Sequence, residues 1–290
     1  MRYDFIRRHR KAYPVILMCK VLEVSRSGFY DYLCFHNIDR GSDPQQATFE
    51  TRIREIFRDS KKAYGSRRIM KQLRKEGYDI GRYRIRRLMR KLDLKAKEPR
   101  RYKVTTDSNH KYPIAPNLLD RQFQVDSPNK VWITDITYVW TLAGWMYLAV
   151  VMDLFSRQII GWAIDKHMKV KLAIDALVMA YWRRKPQPGL LHHSDRGSQY
   201  ACDKYQEQLE HYKMIPSMSR KGNCWDNAPA ERFFRSIKSE YLSEFRFSSM
   251  DMARKEILEY ITFYNAYRLH SYLGYVSPMD YEKEKMLKAA

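Results

Sequence analysis

Three acidic residues stand at positions where a carboxylate asks for an explanation. Asp135 lies inside Trp132-Ile133-Thr134-Asp135-Ile136-Thr137-Tyr138, a β-branched and aromatic run that reads as a strand, and a charge there costs free energy unless a ligand or partner meets it. Asp195 follows His192-His193-Ser194 and opens Asp195-Arg196-Gly197-Ser198-Gln199-Tyr200, at the strand-end position where α/β sites gather. Glu231 lies one turn into a helix starting near Ala228, with Arg235 and Lys238 following at i+4 and i+7. Oxygen ligands from three separate elements, with no thiolate or imidazole set beside them, suit Mg²⁺ or Mn²⁺ better than zinc.

Each acid also has a bland role. Neighbouring amides could satisfy Asp135, Asp195 could be a turn residue, and Glu231 could pair with Arg235 at i,i+4. Asp153 reads as a turn cap, Asp226 as a loop residue, and His192 and His193 as core or strand-end residues rather than ligands. Cys19, Cys34, Cys202 and Cys224 never approach a C-x-x-C spacing, so they read as free thiols rather than a zinc module.

The elements that must carry these acids follow from periodicity. Trp132 to Val139, Trp145 to Met152 and Gln158 to Ile164 form strands in an antiparallel meander, with turns at Leu142-Ala143-Gly144 and Ser156-Arg157. A helix from Val170 to Arg183, a short strand Leu190 to Ser194, a helix Asp203 to His211, a strand Met214 to Met218 and the helix from Ala228 follow. That order predicts an α/β fold: a mixed five-stranded sheet flanked by helices, as in the ribonuclease H architecture.

The preceding residues read as all-α. Val15, Met18, Val21 and Leu22 share a helical face, Ser25 is placed to cap a second helix, and the pair suggests a helix-turn-helix. A second set follows: Thr48 to Ser60, a helix capped by Ser66 and stopped by Gly77, and a basic helix from Arg82 to Leu92. Its Ile85, Leu88, Met89 and Leu92 point inward and Arg84, Arg87, Arg90 and Lys91 outward, the arrangement of a recognition helix. Polar stretches at Asn37 to Gln46 and Thr105 to Asn117 read as linkers. The expected domains are 1–45 (helix-turn-helix-like), 46–104 (second helix-turn-helix), 105–122 (linker), 123–245 (ribonuclease H-like core) and 246–290 (C-terminal helices).

Charge narrows the partner. The 290 residues carry 54 Lys+Arg against 33 Asp+Glu, a formal net charge of +21. Residues 1–110 hold 29 of the basic and 13 of the acidic residues, so the surface for a polyanion is N-terminal, densest from Arg82 to Lys103. The longest apolar run, Trp145 to Met152, covers eight residues, far short of the about 20 that span a bilayer. Val15 to Cys19 is also too short for a signal-peptide core. These features predict an intracellular protein with no membrane partner.

The separation of Asp195 from Glu231, with 35 residues between, falls inside Asp-Arg-Gly-Ser-Gln-Tyr followed by Gly222-Asn223-Cys224-Trp225-Asp226-Asn227-Ala228-Pro229-Ala230-Glu231-Arg232-Phe233-Phe234. With the Asp135 strand before it and Lys238 after it, this resembles the D,D-35-E core of retroviral integrases and bacterial transposases, most closely the frame-B transposase of the insertion sequence three family. Tyr64-Gly65-Ser66-Arg67-Arg68-Ile69, Val24-Ser25-Arg26-Ser27-Gly28-Phe29-Tyr30 and the segment from Phe263 to Gly274 extend the resemblance over nearly the whole chain.

The resemblance implies a DNA transposase: metal-dependent cleavage at the ends of a transposon, then 3′-hydroxyl strand transfer into DNA. Asp135, Asp195 and Glu231 would hold two Mg²⁺ ions, replaceable by Mn²⁺. Lys238 and Arg235 would contact DNA at the active site, and Arg67, Arg68, Arg84, Arg87, Arg90 and Lys91 would bind it elsewhere. The partners would be duplex DNA, as terminal inverted repeats and as target, further copies of the chain in a synaptic complex, and an upstream-frame protein, since no sustained heptad pattern is present here. The alternative is a non-catalytic DNA-binding regulator derived from a transposase. It predicts a broken carboxylate set.

Overall fold

The computed structural model describes residues 1–35, 44–97 and 112–289. The chain divides into two compact units, Met1–Glu55 and Ile56–Ala290. Much of both expected linkers, and the basic residues Arg100, Arg101 and Lys103, lie outside the described residues.

In the first unit, α1 (Arg2–His9), α2 (Val15–Val21) and α3 (Arg26–Phe35) close around Ile6, Met18, Cys19, Phe29 and Leu33. The Ser25 hydroxyl accepts from the Gly28 amide at 2.8 Å and so caps α3 as expected. Two details differ. Helix α1 shows little periodicity because Ile6 is its only buried residue. Val21, expected inside, is exposed, and Cys19 takes the inward position.

Helix α4 (Pro44–Asp59) leads into the second unit, where α5 (Ser66–Lys75) and α6 (Arg82–Lys91) pack together through buried Ile69, Leu73, Ile85, Leu88 and Met89. Ser66 is not the cap of α5. Gly65 holds the extended N-cap conformation, and the Ser66 hydroxyl accepts from Arg82 Nε at 3.3 Å. Gly77, at φ +89, takes the left-handed turn that ends the helix.

The remainder is built on β1 (Val131–Thr141), β2 (Gly144–Asp153) and β3 (Ile159–Asp165), then α7 (Val170–Arg184), β4 (Leu191–Ser194), α8 (Ser198–Ala201), α9 (Asp203–His211), β5 (Ile215–Met218) and α10 (Ala228–Ser236). A π-helical turn, Ile237–Tyr241, continues α10, and α11 (Met250–Ala266) and α12 (Pro278–Ala289) follow. The sheet order is β3-β2-β1-β4-β5. β1 pairs antiparallel with β2 and β2 with β3, whereas β1 pairs parallel with β4 and β4 with β5. This mixed sheet with helices on both faces is the ribonuclease H-like fold.

Alternation assigns the two faces. Ile133, Val139, Leu148, Val150 and Met152 pack with Ala230, Phe233 and Phe234 of α10 and with Ile257, Tyr260 and Ile261 of α11. Trp132, Ala149 and Val151 face Ala173, Ala176 and Leu177 of α7 and Tyr205 and Leu209 of α9. β2 is buried on both sides, so it reads as an unbroken apolar run. Gly161 of β3 lets α7 lie flush on the sheet, because an added Cβ would sit 2.2 Å from the Ala176 carbonyl oxygen. No helix among the described residues is long and apolar enough to cross a membrane.

Candidate active site

Strand register brings the two aspartates together. Ile133 pairs with His193 across the parallel β1–β4 contact, and Asp135 and Asp195 each follow that pair by two residues. Asp135 shares the odd-numbered face of β1 with Ile133, which is the face that α10 covers. Glu231 is on α10, whose seat is set by Asn227: its side-chain amide donates to the Thr134 carbonyl at 3.1 Å. Register and the seat of α10 therefore set Asp135, Asp195 and Glu231 near the end of β4, on strand, strand end and helix.

Their electrostatics report the meeting. Burial, then the charge of Asp195 and that of Glu231, push the Asp135 carboxyl well above the usual carboxylate range, against the Ile136 amide and Lys238. Glu231 is raised by burial and by Asp195, with Arg235 opposing. Asp135 Oδ1 accepts from the Ile136 amide at 2.8 Å and Asp195 Oδ1 from the Gly197 amide at 2.9 Å. The acids share a field without forming a closed ligand set: among the described residues, no group of three or more His, Cys, Asp or Glu stands close enough to hold a metal ion. Burial is the first cause of both raised pKa values, and the neighbouring carboxylates add to it.

Lys238 belongs to the same neighbourhood. It lies in the π-helical turn, where the widened backbone follows directly on the helix that carries Glu231. Its ammonium sits 4.3 Å above the Tyr138 ring. Burial lowers its pKa to about 8, with Asp135 pulling the other way. Arg235 is exposed on the next turn back.

The loop before α10 is held by Asp226, which proves far more than a loop residue. It is fully buried, and it accepts from Arg121 Nε at 2.8 Å, Arg220 Nε and Nη2 at 3.0 Å, the Arg220 amide at 2.9 Å and Asn117 Nδ2 at 3.0 Å. Hydrogen bonds from Arg220, then from Arg121, hold its carboxyl well below the ordinary range despite burial. Asp226 and Asn227 thus position Glu231. The only hint in the sequence was their place just ahead of the helix start, with Pro229 in its first turn.

His192 and His193 are buried and neutral, as the sequence suggested. Burial lowers them to about 3 and about 4. His192 Nε2 bonds the Tyr205 hydroxyl at 2.8 Å, and His193 bonds Ser217 and Ser219 at 2.9 and 3.2 Å. Asp153 caps its turn through the Asn129 and Phe155 amides at 2.8 and 2.9 Å.

The residues expected on DNA divide. Arg67, Arg87, Arg90 and Lys91 are exposed and Arg84 is half-buried. Arg68 turns inward instead: its guanidinium lies 5.4 Å over the Tyr64 ring and 3.5 Å from Glu240. The reason is a stronger internal acceptor. Glu240, in the π-helical turn, accepts from Arg268 at 2.7 and 2.6 Å and from the Tyr260 hydroxyl at 3.1 Å. Burial alone would raise Glu240, but these cations and hydrogen bonds outweigh it and keep the carboxylate charged.

Residues 125–224 match the Integrase core domain family, residues 212–278 match a further Integrase core domain family, and residues 44–102 match the HTH-like domain. These matches define an integrase-type polynucleotidyl transferase, a class whose core implies dependence on a divalent metal. The Insertion element IS600 uncharacterized 31 kDa protein of Shigella sonnei is 42% identical over 94% of this chain and all of its own length. The transposase InsF for insertion sequence IS3A of Escherichia coli is 39% identical over 99% of this chain and 100% of its own. The chain belongs to the IS3 family of InsF transposases, and is a DNA transposase with a DNA-binding HTH-like domain. Among solved structures, the HTLV-2 integrase catalytic core domain in complex with magnesium is 21% identical and covers 50% of this chain and 92% of that one, with a TM-score of 0.40.

Proposed function

We propose that Asp135, Asp195 and Glu231 are the catalytic carboxylates of a transposase that cleaves DNA at the ends of its element and joins the freed 3′-hydroxyl to target DNA. The observation that supports this reading is geometric: strand pairing sets Asp135 and Asp195 on neighbouring strands, and Asn227 ties the helix of Glu231 to the same strand, beside Lys238. Carboxylate oxygens are the ligand type that Mg²⁺ or Mn²⁺ prefers, and a cation held by Asp135, Asp195 and Glu231 would offset their like charges. Divalent ions held by Asp135, Asp195 and Glu231 would supply Lewis acidity for displacement at phosphorus by water and then by the 3′-hydroxyl. The chain's own work is to aim. Asp226 and Asn227 fix the helix of Glu231, and Lys238, with Arg235 on the exposed face, contacts the DNA at the cleft.

The test is cleavage of labelled candidate-end DNA by the full-length protein in Mg²⁺ and in EDTA. The expected result is nicking only in Mg²⁺, with DNA retained in both. Equal nicking in EDTA would exclude the metal assignment.

Duplex recognition falls to the basic face of α6, and the terminal repeats and target DNA are its substrates, within a synaptic assembly of further copies and an upstream-frame partner on the nucleoid. Replacing Arg87 and Arg90 with Ala is expected to weaken binding to all duplexes. Each lost phosphate contact lowers the slope of log K against log salt by about 0.9, so a titration across salt concentrations checks it. An unchanged slope removes α6 from the interface.

A further inference from the structure

Among the described residues, no strand lies beside β1 on the β4 side beyond Ile133, since β4 pairs only with residues 131–133. Tyr138 and Trp140 stand on the even-numbered face of β1, opposite Asp135, and with Trp145 they form an aromatic series along the hairpin. Lys238 covers the Tyr138 ring at its inner end. Tyr138 meets Trp145 edge-on with ring centroids 5.0 Å apart, and Trp145 meets its cross-strand partner Trp140 at 4.8 Å. Trp140 is 55% and Trp145 46% exposed, with Leu142 at the tip 74% exposed.

Core packing does not explain these tryptophans. The hairpin tip is already secured without them: the Leu142 amide donates to the Phe247 carbonyl at 2.9 Å, and the Thr141 hydroxyl to the Gly144 carbonyl at 2.8 Å. Large aromatic surfaces left in water beside a polyanion cleft are suited to nucleobases, whose faces stack on any π-system.

We infer that Tyr138, Trp145 and Trp140 form a stacking site for unpaired bases of the DNA strand that leaves the carboxylate cleft. Two observations select DNA as the occupant. The chain carries a net charge of +21, and Lys238, which the charge of Asp135 reaches, covers the first ring of the series. Its reach also fits: five residues of strand separate Asp135 from Trp140, roughly 17 Å, which corresponds to about five nucleotides. Bases at a duplex end unpair at the least cost, so an end held at the carboxylates can feed this site.

The inference rests on the carboxylates being where the DNA strand is cut, so its test is read in EDTA and is independent of cleavage. Full-length protein is titrated with a blunt labelled duplex and with the same duplex carrying a single-stranded dT tail of about five nucleotides. The expected result is tighter binding of the tailed duplex, with quenching of tryptophan fluorescence. W140A/W145A loses that preference, about 5- to 100-fold, while its blunt-duplex binding stays at the parent level. W140F/W145F keeps most of it, because a phenyl face still stacks. The inference is overturned if the parent shows no tail preference, if the alanine variant keeps it, or if both duplexes weaken equally. It is equally overturned if only self-association by sedimentation changes, which would make the tryptophans a contact between copies.

Discussion

Asp135→Asn, Asp195→Asn and Glu231→Gln are each expected to abolish end cleavage while leaving duplex binding intact. Removing one preorganised electrostatic group from an active site costs about 10²–10³ in rate, and a carboxylate shared by a metal set costs at least that. The losses should not add, because groups that act as a unit fail together. Any double variant is therefore expected to cleave no worse than a single one. Unfolding is not the cause to fear. Asp135 is driven above its ordinary pKa by burial and by Asp195, so an amide there relieves repulsion and the variant is expected to melt no lower than the parent. Thermal denaturation separates the cases a second way. Mg²⁺ raises the midpoint of the parent, since a ligand that binds only the folded state stabilises it, and leaves Asp135→Asn unmoved. A variant that cleaves like the parent would remove its residue from the catalytic set.

Glu240→Ala is expected to give the largest loss of stability. Glu240 and Arg268 are 14% and 4% exposed at their side chains, and deleting one member of a buried, hydrogen-bonded pair strands the other's charge at about 3–5 kcal/mol. For a unit of this size that corresponds to a fall in melting temperature of about 10 °C. The double change Glu240→Met with Arg268→Met is expected to recover much of it, because apolar replacement of both partners removes the stranded charge. If Glu240→Ala melts with the parent, the cluster is an ornament of the surface. The consequence extends to function. Glu240 collects Arg68 of α5, and Lys97 donates to its backbone carbonyl, while the Leu269 amide donates to the Tyr64 hydroxyl at 2.6 Å. Residues of the HTH-like match are thus tied to the turn that continues the Glu231 helix.

Much of the site was legible because its signals are local. Asp135 announced itself as an acid in a β-branched run, and β2 as a fully apolar one. The order of strands and helices followed from periods of two and of 3.6. What was illegible depends on distant partners. Nothing near Arg68 marks it as inward-facing, because its acceptor lies 172 residues away. The seat of α10 rests on Asn227 and Thr134, 93 residues apart. Asp226 looked like any loop aspartate, since two of its ligands, Asn117 and Arg121, are more than 100 residues upstream.

The amino-acid order alone determined the elements and the basic N-terminal charge, because backbone propensity, side-chain periodicity and net charge are properties of neighbours, and it singled out the three acids only through a family resemblance. Only the tertiary structure decided which cations were spent inside and which remained exposed, and in which direction burial and neighbouring charges push Asp135 from its ordinary pKa. Desolvation and Coulomb energy depend on separation in space, and the fold sets that separation by pairing β1 with β4 and laying α10 across them.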